Sequence, residues 1–211
     1  MIAGIIISCA SVTFFSVDLK YKPSKPFDLQ EAGKGEKKVL IMSDFIDARQ
    51  GDENLIIGAV VKDDGRRTPV MPKYARPADA VTVIVRDYLS RSGYTVVPAV
   101  QVANGKQEAV IKPASIIVGG QINELEVLCR DSLTVKKYTA RVKLSILLSD
   151  AKTGKVIYTV SAESRSSLEH YRFSEEMLGE QINDVLSDAV EKLFEGNEVR
   201  RQITESAGYS R

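Results

Sequence analysis

The chain has 211 residues, 44% of them hydrophobic, with 29 basic and 28 acidic side chains and a single histidine. That length sets one large domain, or one domain plus a tether. The near-cancelling charge lacks the basic face that nucleic-acid binding calls for, and no stretch reaches the roughly 18 apolar residues of a membrane-spanning helix.

The chain opens Met1-Ile2-Ala3-Gly4-Ile5-Ile6-Ile7-Ser8-Cys9: an uncharged apolar run, a small residue, then cysteine. Ile6-Ile7-Ser8-Cys9 reads as a lipobox, where a bacterial lipoprotein is cleaved and its cysteine sulfur acylated. On this reading residues 1–8 are a signal remnant and are set aside from fold reasoning. The mature chain then begins at Cys9, held on a membrane by acyl chains contributing roughly 0.8 kcal/mol per buried methylene. The run is short and no Lys or Arg precedes it, so a basic segment upstream of Met1 is expected. The competing reading is an apolar N-terminal strand ending in a buried free cysteine.

Residues 9–38 read as a lipid-anchored tether. Pro23, Pro26, Gly33 and Gly35 interrupt any helix, and six lysines keep the segment solvated. Such a coil averages roughly 30 Å end to end. Phe14, Phe15, Tyr21 and Phe27 are too many aromatics for a pure linker, and predict that part of it packs on the domain or adds an edge strand.

Residues 39–211 form the domain. Val39-Leu40-Ile41-Met42 is a buried strand, followed by a polar turn around Asp47, Ala48 and Arg49, and residues 55–61 are apolar again. The proline-bearing stretch 62–78 reads as a loop of the length that covers a site or partner surface. A helix follows, with Asp79 as its cap, a stripe of Val81, Ile84, Val85, Tyr88 and Leu89, and Gly93 as its stop. Tyr94–Val97 is a strand, and Asn104-Gly105 marks the next loop. From Ile116 to Ser166 the chain is strand, with alternating faces along residues 138–149 and a turn at Gly154. The last helix is capped by Ser174, carries Leu178, Ile182, Val185, Leu186, Ala189, Leu193 and Phe194 on one stripe, and stops at Gly196. The expected class is α+β: a mixed, mostly antiparallel sheet of about six strands with two amphipathic helices packed on one face.

No catalytic set emerges from these residues. His170 lacks partners at ligand spacing, and Cys129 reads as a small packed hydrophobe. Lys152-Thr153-Gly154 spells a penicillin-binding triad, but it falls with Ser149 in a single turn instead of facing a cleft from separate elements. Gly119-Gly120 reads as a bulge or a close packing contact. Asp44, Asp47, Asp52, Asp63 and Asp64 lack calcium-loop spacing and read as solvated charge. Asp47 and Arg49 of the first turn, with Arg66, Arg67 and Tyr74 of the long loop, form a candidate partner surface.

The segment Asp79–Val97 with Ser92-Gly93-Tyr94, the hairpin 115–165, the helix 174–195 and the opening Ser43-Asp44-Phe45-Ile46-Asp47-Ala48-Arg49 with Ile57-Gly58 resemble YajG-like bacterial lipoproteins over roughly residues 9–205. The resemblance implies a lipid-anchored periplasmic protein of Gram-negative envelopes without established enzymatic activity. Cys9 is the one functional position it carries over. Ala10 in place of Asp resembles the lipoproteins sorted to the outer membrane. More distantly, the element order is similar to domains of curli-secretion and peptidoglycan-synthase-activator lipoproteins.

The expected function is therefore a non-catalytic binding or scaffolding module on the periplasmic side of the outer membrane. Its partners would be the membrane, through Cys9, and an envelope protein or cell-wall component; no cofactor and no metal are expected. The alternatives are a subunit of a secretion or lipid-transport assembly and a hydrolase using His170.

Overall fold

The computed structural model describes residues 13–24, 39–50, 54–99 and 116–206. Their order is β1 (Phe15–Val17), β2 (Val39–Met42), β3 (Ile46–Asp47), β4 (Gly58–Lys62), β5 (Arg67–Pro72), α1 (Pro77–Arg91), β6 (Thr95–Pro98), β7 (Ile116–Asp131), β8 (Lys136–Asp150), β9 (Val156–His170), α2 (Glu175–Glu195) and α3 (Asn197–Ser206). The class is α+β as expected, with nine strands among the described residues where about six were foreseen, and three helices where two were foreseen.

β7 is the spine of the sheet. β8 pairs with it antiparallel from Ile116↔Asp150 to Asp131↔Lys136, and β9 continues the meander on the outer side of β8. These long ladders make the sheet mostly antiparallel. Along the other edge of β7 lie three short parallel pieces: β2 at Ile116–Val118, β3 at Gln121 and Ile122, and β4 at Val127–Asp131. The sheet forks there. Beyond β2 it ends at parallel β6; beyond β4 it runs through antiparallel β5 to parallel β1.

One face carries the core. Tyr138, Ala140, Val142, Leu144, Ile146 and Leu148 of β8 are buried at the period of two that a half-buried strand shows. They join the predicted stripes of α1 and α2, every member of which is buried, in a single cluster. Close backbone approach fixes two glycines in this region. A Cβ on Gly120 would lie 2.5 Å from the Phe45 ring, and one on Gly58 would lie 1.7 Å from the Val127 carbonyl oxygen. Gly120 is thus a packing contact, while the bulge of β7 sits further on, between Ile122 and Glu124.

The helix ends differ from the expected caps. Arg76, not Asp79, is the N-cap of α1, with Pro77 in the first turn, where its missing N–H breaks no helical bond. Asp79 instead pairs with Arg76 at 2.9 Å. Gly93 does close α1 with φ 89°, its N–H on the Ser90 carbonyl and that of Tyr94 on Leu89. Ser174 occupies the α2 N-cap without a side-chain capping bond, its own N–H donating to the Tyr138 hydroxyl at 2.8 Å. Gly196 has φ −59° and bends the chain into α3, whose Val199 and Ile203 join the core.

The stretch 62–78 is not a covering loop. It holds a tight turn and the strand β5, set between β4 and β1. Its prolines concealed it. β1 reaches only to Val70, so the nitrogen of Pro69 falls beyond that ladder, an edge-like place where a strand tolerates proline.

Residues 13–24, read as part of the tether, are bound to the domain. β1 adds an edge strand, and the segment after it lies along α2. The Lys20 N–H donates to Asn183 Oδ1 at 3.0 Å, that of Lys22 to Ser187 Oγ at 2.8 Å, and that of Ser24 to Glu191 Oε1 at 2.9 Å. The Tyr21 hydroxyl reaches Glu191 at 2.8 Å, and its phenol is pushed up by burial and then by that carboxylate.

Candidate functional site

The β7 bulge organises the helix-free face of the sheet. Asn123 is the extra residue there, and its Oδ1 accepts from Ser145 Oγ at 2.6 Å, which in turn lies 2.7 Å from Ser161 Oγ. A polar row thus crosses β7, β8 and β9 where the ladder is locally broken.

Beside the bulge the chain between β3 and β4 is tied down by one side chain. All five guanidinium N–H groups of Arg49 are engaged. Nε and Nη2 hold Asp47 at 2.9 and 2.7 Å, Nη2 also reaches the Asn54 carbonyl at 2.6 Å, and Nη1 reaches the carbonyls of Ile56 and Leu125 at 2.9 and 3.2 Å. The Leu125 carbonyl belongs to β7 just past the bulge, so Arg49 clamps the loop to the strand with the planar fork that lysine lacks. Its side chain is 13% exposed and that of Asp47 12%. Burial raises the Asp47 carboxyl, but the hydrogen bonds and charge of Arg49 outweigh it and hold the group below the usual carboxylate range.

Over this floor lies an open depression of about 600 Å³, with Arg67, Asn123, Glu124, Glu126 and Arg141 on its walls. Arg141 Nε is 3.7 Å from Glu124. A second depression of about 400 Å³ adjoins it between Arg141, Arg165 and Ser167. Arg141 and Arg165 are direct cross-strand partners. Like charges so placed repel, and Glu124 and Glu163 offset them as ion-pair partners. The result is a concave surface of alternating sign, built on rigid strands and suited to binding a polar partner.

The predicted surface residues do not form one patch. Asp47 and Arg49 form a clamp, and Arg49 lines the same depression as Arg67. Arg67 opens β5 and lines the depression, whereas Arg66 is exposed at the β4–β5 turn, paired with Asp64 at 2.6 Å. Tyr74 lies past the other end of β5, 74% exposed, with the Lys73 ammonium 5.0 Å from its ring centre. Cys9 and Asp52 lie outside the described residues. His170 is exposed at the end of β9, its Nδ1 engaged with the main chain of Arg172. Cys129 is buried, its thiol pushed up to about 11 chiefly by burial. Among the described residues no three His, Cys, Asp or Glu side chains group as metal ligands. Sequence reasoning missed Glu124, Glu126 and Arg141. Their signal was charge recurring on the polar alternates of β7 and β8 past Asn123, where Glu124 and Glu126 face Lys143 and Arg141.

No protein-family model matches the sequence, and the comparison with curated proteins gives no match. Solved structures resemble it at low identity. The PelC dodecamer from Paraburkholderia phytofirmans aligns at 10% identity over 76% of this chain and 88% of its own, with a TM-score of 0.42. Lipoprotein GNA1162 from Neisseria meningitidis aligns at 15% identity over 71% and 96%, with a TM-score of 0.37. Protein XCC0632 from Xanthomonas campestris, described under the family model DUF330, is 11% identical over 92% of this chain and 99% of its own, with a TM-score of 0.54. With this last protein the chain shares its fold along nearly its whole length.

Proposed function

We propose that this chain is a lipid-anchored lipoprotein of the YajG-like kind, on the periplasmic side of a Gram-negative outer membrane. It acts without catalysis, as a binding or scaffolding module for another envelope component. The observation that carries this reading is the seating of residues 13–24 on β5 and α2. Cys9 lies four residues before Thr13, a reach of at most about 14 Å. An acylated Cys9 would therefore hold the domain directly against a leaflet. The depression over the β7 bulge is the recognition surface, where Arg67 and Arg141 meet acids and Glu124 and Glu126 meet bases of a polar partner.

Intact-mass measurement of membrane-extracted protein tests the anchor: the chain is expected to begin at Cys9 and to carry acyl mass. Cys9→Ser should leave it soluble or unprocessed, and unchanged outer-membrane fractionation of that variant contradicts the reading. A photo-crosslinking residue at Glu126 should trap one envelope component, with the adduct lost on Arg141→Glu. A correctly fractionated protein giving no adduct there removes the recognition surface while leaving the anchor standing.

A further inference from the structure

We propose that the end of the sheet formed by the β4–β5 turn, the β7–β8 turn and the turn after β9 rests in the lipid headgroup layer, with Leu133 and Tyr171 as its contact residues. This inference rests on Cys9 being the acylated anchor. Leu133 is 94% exposed and Tyr171 83%. Single exposed apolar side chains are ordinary; these two are set apart by how they are held and where the chain leaves the fold.

Both turns are fixed from behind. The Leu133 N–H donates to Asp63 Oδ2 of the β4–β5 turn at 3.0 Å. Lys136 folds back onto the Ser132 carbonyl and pairs with Asp131 at 2.8 Å. The turn displaying Tyr171 is closed by His170 Nδ1 on the Arg172 main chain and by the Tyr138 hydroxyl at 2.8 Å from the Ser174 nitrogen. Leu133 and Tyr171 share one end because Lys136↔His170 is the last row of the β8–β9 ladder, and both lie past it. The start of β1 packs behind this end, with the Phe15 ring 4.9 Å from that of Phe173.

The direction and length of the leader then place the membrane. β1 runs parallel to β5, so from Phe15 back to Thr13 the chain heads toward the β4–β5 turn. Phe15 is level with Val70, hence with Gly58 and Val127, and the last β4–β7 row, Lys62↔Asp131, lies four rows on. Four rows are about 13 Å, while the six residues from Phe15 back to Cys9 reach at most about 21 Å. The acylated sulfur therefore attaches no more than about 8 Å beyond that row. Leucine and tyrosine suit the boundary between acyl chains and headgroups, the phenol staying wet. The anchor supplies the high local concentration that lets two side chains suffice.

The test uses acylated full-length chain in vesicles of phosphatidylethanolamine and phosphatidylglycerol, with an environment-sensitive thiol fluorophore placed at Leu133→Cys, Tyr171→Cys or, as a control on the solvent side of α1, Val83→Cys. Lipids brominated in their acyl chains are expected to quench the first two labels, with a blue shift, and to leave the third untouched. Labels at 133 and 171 that match the control on vesicles that carry the floated protein overturn the inference and spare the anchor. A blue shift without bromine quenching means a second copy or another protein covers this end, and overturns it equally. Protein that fails to float removes the anchor, and the inference with it.

Discussion

Asn183 closes a two-bond ring around Lys20: its Oδ1 accepts the Lys20 N–H at 3.0 Å while its Nδ2 donates to the Asp18 carbonyl at 2.9 Å. Ser187 and Glu191 repeat the contact one and two turns on, with the N–H groups of Lys22 and Ser24. The two periods match: four helical residues rise about 6.0 Å and two extended residues about 6.6 Å. That match explains why α2 buries Asn183, Ser187 and Glu191 among its apolar positions. Asn183→Ala strips both bonds from the strap and is expected to cost about 2 kcal/mol in urea unfolding. Faster hydrogen exchange at the Lys20 and Lys22 amides should accompany it; unchanged exchange would show that the strap is held elsewhere.

Arg49 holds four residues through five hydrogen bonds, and lysine can reproduce neither their number nor their geometry. Arg49→Lys should lose about 2–4 kcal/mol, because buried carbonyls and a carboxylate lose their donors. A urea midpoint within error of the parent would show that the loop does not depend on this clamp.

Asp47 gives the clamp a pH signature. Its folded value lies below its unfolded one, so its stabilising contribution is complete above the ordinary carboxylate value of about 4 and fades as pH falls through the lowered folded value. The stability gap between the parent and Asp47→Asn should thus be steady near neutrality and shrink below about pH 4. A gap that widens on acidification reverses the sign and contradicts the assignment.

Gly120→Ala drives a methyl to 2.5 Å from the Phe45 ring and 2.7 Å from the Ser145 carbonyl oxygen. Overpacking of this kind is expected to cost about 1–3 kcal/mol. Phe45→Leu should recover part of it in a double-mutant cycle, since the ring is the neighbour able to yield. Strict additivity would place the clash on the β8 backbone alone.

Cys129 should resist thiol reagents in the folded protein. Its thiol is fully buried and pushed up to about 11, so little thiolate exists at neutral pH. Reaction with an aromatic disulfide at neutral pH should become rapid only once urea unfolds the chain. Prompt labelling of the native protein would show that the β7–β8 end opens locally.

Short-range periodicity made much of this molecule legible in the amino-acid order. The stripes of α1 and α2 and the alternation along β8 are burial patterns written within one element, and Gly93 and Gly154 mark turns by their own backbone freedom, with φ of 89° and 69°. The depression was half visible: Arg49 and Arg67 were named, while Glu124, Glu126 and Arg141 lay hidden in strand alternation. What the sequence could not decide were the relations between distant segments. Asp47 and Arg49 look like solvated turn charge until the carbonyls of Asn54, Ile56 and Leu125 converge on them. The strap looks like linker until Asn183, some 160 residues later in the chain, meets it. The fork consists of main-chain bonds between distant strands, and clamp and strap largely of bonds between main-chain groups and remote side chains. Every residue carries the same main-chain groups, so composition and spacing are silent about which will meet, and tertiary packing alone selects the partners.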